Sequence, residues 1–213
     1  MNEDAMRSII VNAVNELAPV LWAAQSAALA AANTRCRGLV HDKYPSLRPH
    51  LIRSELREYL EREHLPEGWV LGGDTRKMVQ IYVRNETVCL RYLKERRATY
   101  PGGVPAAGRA PSRRAYWAPS LFGPPGLPGG RLNLLLLWDY LDPADPESGF
   151  VMRVVHTTST GAWGSRTPID LSVDLAPTLG LEGYLRFHED PQDTDFFADL
   201  SENRRGGEDD GMA

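Results

Sequence analysis

The stretch RLNLLLLWDYLDPADPESGF, residues 131–150, decides how the rest of the chain must fold around it. Leu134–Trp138 is an unbroken apolar run. A bilayer core needs about 20 such residues in a helix, so this run is no membrane span. Bounded by Gly130 and by the turn-forming DPADPESG, it has the length and flanks of a β-strand buried on both faces. Such a strand needs neighbours. The segment FVMRVVHTT that follows, with Val151, Val154 and Val155, reads as an antiparallel partner joined by a long hairpin. Further on, AWGSRTPIDLSVDL adds one or two strands, with Pro168 confining that piece to an edge or a strand start.

Upstream the apolar period is that of helices. Met6, Ile9, Ile10, Ala13, Val14 and Leu17 recur at three- and four-residue spacing, and Pro19 either kinks this helix or opens a second one, VLWAAQSAALAAAN. In SLRPHLIRSELREYLEREH the stripe is Ile52, Leu56, Tyr59 and Leu60. Arg53, Arg57 and Arg62 alternate there with glutamates, so that face reads as ordinary and solvated. After Gly68 the period shortens to two, and MVQIYVRNETVCLRYLKE reads as a β-hairpin. Helices followed by strands, instead of alternating with them, indicate an α+β fold: N-terminal helices packed on a mainly antiparallel β-sheet, with a Pro/Gly-rich basic loop and an acidic C-terminal tail. The expected organisation is a helical region over 1–66, a β domain over 67–200 with a loop insertion at 98–130, and a disordered tail at 201–213.

Composition excludes some functions and leaves others open. The chain has 213 residues, a formal charge of −4 and only two cysteines, Cys36 and Cys89, in no metal or redox spacing. The opening residues carry no secretory pattern, so a reducing cytoplasm is the expected compartment and no membrane is expected as partner. The average charge hides an asymmetry. Between residues 91 and 131, Arg91, Lys94, Arg96, Arg97, Arg109, Arg113, Arg114 and Arg131 stand against Glu95 alone, a local charge of +7. From Glu182 onward ten carboxylates stand against three arginines, a local charge of −7.

Arginines interleaved with aromatics are what phosphate backbones and unstacked bases require, so Arg96, Arg97, Arg109, Arg113, Arg114, Tyr116 and Trp117 are the candidate nucleic-acid contacts. The bland alternative is a solvated loop pinned to the core by Trp117 and Phe122. In the tail, Phe196, Phe197 and Leu200 have the helical spacing of a protein-docking peptide. The acidic run could also screen the basic loop.

Chemistry is harder to find. Asp139 closes a buried strand and His156 sits on the next one, which makes them the weak candidates for a hydrolase or nuclease. Asp142 and Asp145 each precede proline and read as turn formers, and no acid accompanies Arg153 on the returning strand to complete a metal site. No metal and no cofactor is expected. The order of YLKERRATYP, PSRRAYW, LPGGRLNLLLLWDYLDP and FVMRVVHTT, over residues 79–173, resembles small accessory proteins encoded beside phage-type repressor and metallopeptidase modules. That resemblance implies a regulatory or interaction role and supplies no catalytic residues. The expected function is therefore a non-enzymatic regulatory or protein-interaction role, with nucleic-acid binding and hydrolysis as the alternatives.

Overall fold

A computed structural model describes residues 3–40, 43–118 and 131–176. All of them belong to one unit, Met1–Thr178; Leu179–Ala213, which includes Phe196, Phe197 and Leu200, lies outside the described residues. The protein is α+β. Two helices, α1 (Glu3–Arg35) and α2 (Leu47–Arg62), precede the strands β1 (Val70–Gly72), β2 (Tyr82–Arg84) and β3 (Val88–Lys94). A short helix α3 (Pro111–Trp117) intervenes before β4 (Leu132–Asp142), β5 (Asp145–Thr157) and β6 (Ile169–Leu175). Among the described residues, no helix is long and apolar enough to cross a membrane.

The six strands lie side by side in chain order, and every neighbouring pair is antiparallel except β3 and β4, which run parallel from Val88↔Leu132 to Lys94↔Trp138. A parallel pair cannot be joined by a tight turn. The Pro/Gly-rich excursion after β3 is that crossover, and α3 belongs to it. The hairpin after β4 is shorter than expected: Asp142 pairs with Asp145, so only Pro143 and Ala144 form the loop. The Asp142 carboxylate accepts from the Ala144 N–H at 2.8 Å, which makes an Asx turn and frees the strands to run to its edge.

The apolar run of β4 is continuous because both of its faces are covered. Leu134, Leu136, Trp138 and Tyr140 enter the core beneath α1 and α2, with Leu17, Leu21, Ile52, Leu56, Tyr92 and Val154. Leu135 and Leu137 enter a smaller core on the other face, with Val104, Ala107, Trp117 and Val155. Pro19 stays inside α1, which continues to Arg35 as one helix. Fully burying a leucine side chain contributes about 1.5–3 kcal/mol, so these rows hold helices, sheet and crossover together. Beneath the helices the Tyr92 hydroxyl donates to Gln25 Oε1 at 2.6 Å. Burial holds that phenol well above its ordinary pKa.

Candidate nucleic-acid interface

Alternation along β3 determines what faces the crossover. Cys89, Arg91, Leu93 and Glu95 share the face of α3 with Asn133, Leu135, Leu137 and Asp139 of β4, and with Arg153 and Val155 of β5. Three zones of that face differ in chemistry.

The first zone is a closed carboxylate cluster. Glu95, with a side chain 1% exposed, accepts from Arg153 Nε at 2.6 Å and from Arg97 Nε at 2.7 Å, on separate oxygens. Asp139 accepts from its neighbour's backbone N–H at Tyr140 and is paired with Lys94, while Arg97 Nε lies 3.5 Å from its second oxygen. The hydrogen bond to Glu95 raises the Arg97 pKa. Gly103 makes the cluster possible. It holds φ +80°, and a Cβ there would overlap the Glu95 carboxylate. Both carboxylates are thus engaged by cations, Glu95 through both oxygens and Asp139 closely through Oδ1.

Asp139 and His156 do not meet. His156 pairs with Leu171 on the face of α1 and α2, opposite to Asp139, and lies five residues beyond Val151, the cross-strand partner of Asp139. At about 3.3 Å per residue that is roughly 16 Å along the sheet. A bulge between His156 and Thr157 leaves Asp170 as the extra residue, and its carboxylate holds His156 Nδ1 at 2.7 Å. A shared catalytic role for Asp139 and His156 is thereby removed. Among the described residues, no three His, Cys, Asp or Glu side chains gather around a common point.

The second zone is a row of arginines without carboxylates. Arg91 is 8% exposed, and its guanidinium lies over the rings of Tyr82, Tyr116 and Trp117 at 5.4, 5.9 and 5.3 Å. Ring faces attract a cation, but three of them do not cancel its charge. Arg113 stacks on Trp117 at 5.3 Å, and its buried Nε has no acceptor among the described residues. Burial, then the charge of Arg91, lowers the Arg113 pKa. Arg53 of α2 is lowered chiefly by burial and also by Arg91. Its side chain reaches over the sheet edge to donate to the Met78 carbonyl at 3.0 Å, so this part of α2 is not the ordinary solvated face that its glutamates suggest. Arg57 likewise turns inward, to the carbonyls of Gly72 and Gln80.

The third zone is aromatic, and it is not the one the sequence suggests. Trp117 is fully buried, donates from Nε1 to the Pro105 carbonyl at 2.9 Å, and cannot stack on a base. The Tyr116 hydroxyl is committed to the strand carbonyls of Cys89 and Leu134, at 2.6 and 2.9 Å. The exposed ring is Trp163, in the connection between β5 and β6, 74% exposed. It meets Tyr100 edge-on at 5.7 Å, and Arg96 lies over it at 5.7 Å.

Of the arginines proposed from sequence, Arg97 is engaged by the carboxylate cluster, Arg96 and Arg113 stand in the arginine row, and Arg109 and Arg114 are exposed at its margin. Arg53, Arg91 and Trp163 are additions. Arg91 was visible in the charge count but not as a buried group, and Trp163 carried no local signal beyond the flanking Gly161 and Gly164. No family model matches the chain, nor does any curated protein or solved structure.

Proposed function

We propose that the protein is a non-enzymatic binding protein that holds single-stranded nucleic acid on the α3 face of its sheet. The observation that carries this reading is the row Arg53, Arg91, Arg113 and Arg96, none ion-paired among the described residues, ending on the exposed ring of Trp163. Guanidiniums supply paired donors to phosphate oxygens, and an exposed indole supplies a stacking platform that accepts any base. The engagement of Glu95 and Asp139 by cations supports binding without turnover. The acidic run from Glu182 onward, with its local charge of −7, is the feature of the sequence that suits a regulatory role.

The test is fluorescence anisotropy with labelled single-stranded DNA and RNA at about 50 mM salt, on the full chain and on a truncation ending before Glu189. Binding should weaken linearly in log–log salt, with a slope reduced by about one for each arginine removed from the row. Absence of binding by both proteins at low salt would sink the reading. A second reading, a protein partner, is favoured by Leu39, Val40 and Tyr44 in the connection between α1 and α2 and by Leu47 at the start of α2, exposed apolar residues around one shallow hollow. Capture from native extract should then be lost on Leu39→Ser with Tyr44→Ser; capture unchanged by that pair would exclude this surface.

A further inference from the structure

The arginine row ends in a cleft whose contents are unusual. β2 pairs with β3 only from Arg84↔Cys89 to Tyr82↔Arg91, and the chain before it swings away from the edge of β3. The space left between α2, α3 and that edge is a cleft of about 220 Å³ lined by Arg53, Lys77, Arg91 and Arg113 around a floor of Ile81 and Leu93. No carboxylate lines it. Lys77 reaches Asp74 at 3.5 Å outside the cleft, with both side chains exposed, whereas the three arginines make no ion pair among the described residues. One wall is the turn before β2, where Met78 and Val79 hold φ +56° and +48°, a conformation that a β-branched residue adopts only when its surroundings impose it.

We propose that this cleft is a binding site for a phosphate monoester dianion, which a nucleic-acid strand would present at its terminal phosphate. Buried cations are ordinarily paired, and here the pairing group is missing while a donor, Arg113 Nε, lacks an acceptor. Burial first, and the charge of Arg91 after it, lowers the pKa values of Arg53 and Arg113, and an anion placed between the arginines offsets both their burial as cations and their mutual repulsion. The choice of monoester follows from charge. An internal phosphodiester carries one negative charge and is matched by cations strung along a groove; the three arginines without an ion pair around one cleft are neutralised further by the −1.5 to −2 of a monoester near neutral pH. The donors also outnumber what two non-bridging oxygens accept, whereas a monoester offers three.

The inference rests on the nucleic-acid reading for its strand-end form, and the experiment separates the two. Anisotropy of the full-length protein is measured with one oligonucleotide carrying a terminal 5′-phosphate or a 5′-hydroxyl, with orthophosphate and a mononucleotide as competitors. The phosphorylated strand should bind about tenfold tighter. Arg113→Gln and Arg53→Gln, on different elements, should each erase that difference, the two strands then binding equally and both more weakly than to the parent protein by the loss of one row arginine, and Arg113→Lys should restore part of the difference. Thermal unfolding confirms that each variant is folded. Equal binding of the two strands, with no competition from orthophosphate or mononucleotide, overturns the site but leaves the nucleic-acid reading standing. Binding of neither strand, with orthophosphate and mononucleotide still bound in a way that Arg113→Gln abolishes, supports the site as one for small phosphate esters and removes the nucleic-acid reading.

Discussion

Glu95→Gln keeps the shape of the side chain at the centre of the carboxylate cluster and removes its charge. Two interactions are lost, and they are unequal. The Arg97 side chain is 59% exposed, so its pair with Glu95 is close to a surface ion pair, worth about 0–1 kcal/mol. The Arg153 side chain is 21% exposed and meets a carboxylate that is 1% exposed, so this bond belongs with enclosed charge-assisted hydrogen bonds at about 1.5–3 kcal/mol. The variant leaves Arg153 with the Gly102 carbonyl, 2.6 Å from its Nη2. The expected loss is about 1.5–4 kcal/mol in all, a fall in Tm of roughly 3–16 °C for a chain of this size. Urea unfolding followed by tryptophan fluorescence measures it, with m unchanged because the native surface is unchanged. A cycle with Arg153→Met should show coupling of about 1.5 kcal/mol or more. A loss below about 0.5 kcal/mol with no coupling would refute the reasoning. It would also mean that the carboxylates are loosely held, which reopens a catalytic use for them.

The two tryptophans of the α3 face should separate stability from binding. Trp163→Ala should leave Tm within about 2 °C of the parent while weakening single-strand binding about tenfold or more, as loss of one stacked base predicts. Trp117→Phe should do the reverse, costing about 1–3 kcal/mol through the lost bond to Pro105 and the space left behind, with the affinity of the folded fraction unchanged. Alkali should unfold the protein. Burial raises Tyr92 and Tyr116 well above their ordinary range and pushes Tyr140 up to about 12. Unfolded tyrosines release protons near pH 10, so their contribution is complete below that pH. It is lost as pH rises toward the folded values, by about 1.4 kcal/mol per pH unit for each group. Urea midpoints between pH 8 and 11.5 should show this fall, shallower in Tyr140→Phe. Gly103→Ala should lower Tm by displacing Glu95, and it should do less harm on a Glu95→Gln background.

How much of this was legible in the sequence depends on which interaction decides each element. The α+β class was legible, because the period of Ile10, Ala13, Val14 and Leu17 and the two-sided burial of Leu134–Trp138 are local properties. The parallel pairing of β3 with β4 was not, since nothing in either strand records which distant edge it meets. The tight turn at Pro143–Ala144 was obscured by the turn-rich residues that follow, which β5 absorbs into its first rungs. The arginine count marked the crossover and its neighbours as basic but did not show which arginines are ion-paired. Arg97 was taken by Glu95, and Arg53 came from a helix whose sequence pattern reads as solvated. Stacking residues were misassigned for a physical reason: Tyr116 and Trp117 lie beside the arginines in sequence, yet a crossover helix as short as α3 is held to the sheet by its largest side chains. The ring left outside, Trp163, comes from a connection 46 residues beyond Trp117.

The parallel ladder between β3 and β4 also sets an order of assembly. β5 reaches β4 through a two-residue loop, which closes on a timescale of microseconds. β3 can join only after the excursion from Glu95 to Arg131 has been closed, at an entropic cost that rises with its length. The hairpin of β4 and β5 is therefore expected to form early, and the bonds of Glu95 with Arg153 and of Lys94 with Asp139, which join the early half to the late one, to form last. Arg153→Met should then speed unfolding and barely slow refolding in a stopped-flow chevron. A partly folded chain has no completed arginine row, so the polyanion affinity proposed for that row is expected to arise only in the final step of folding.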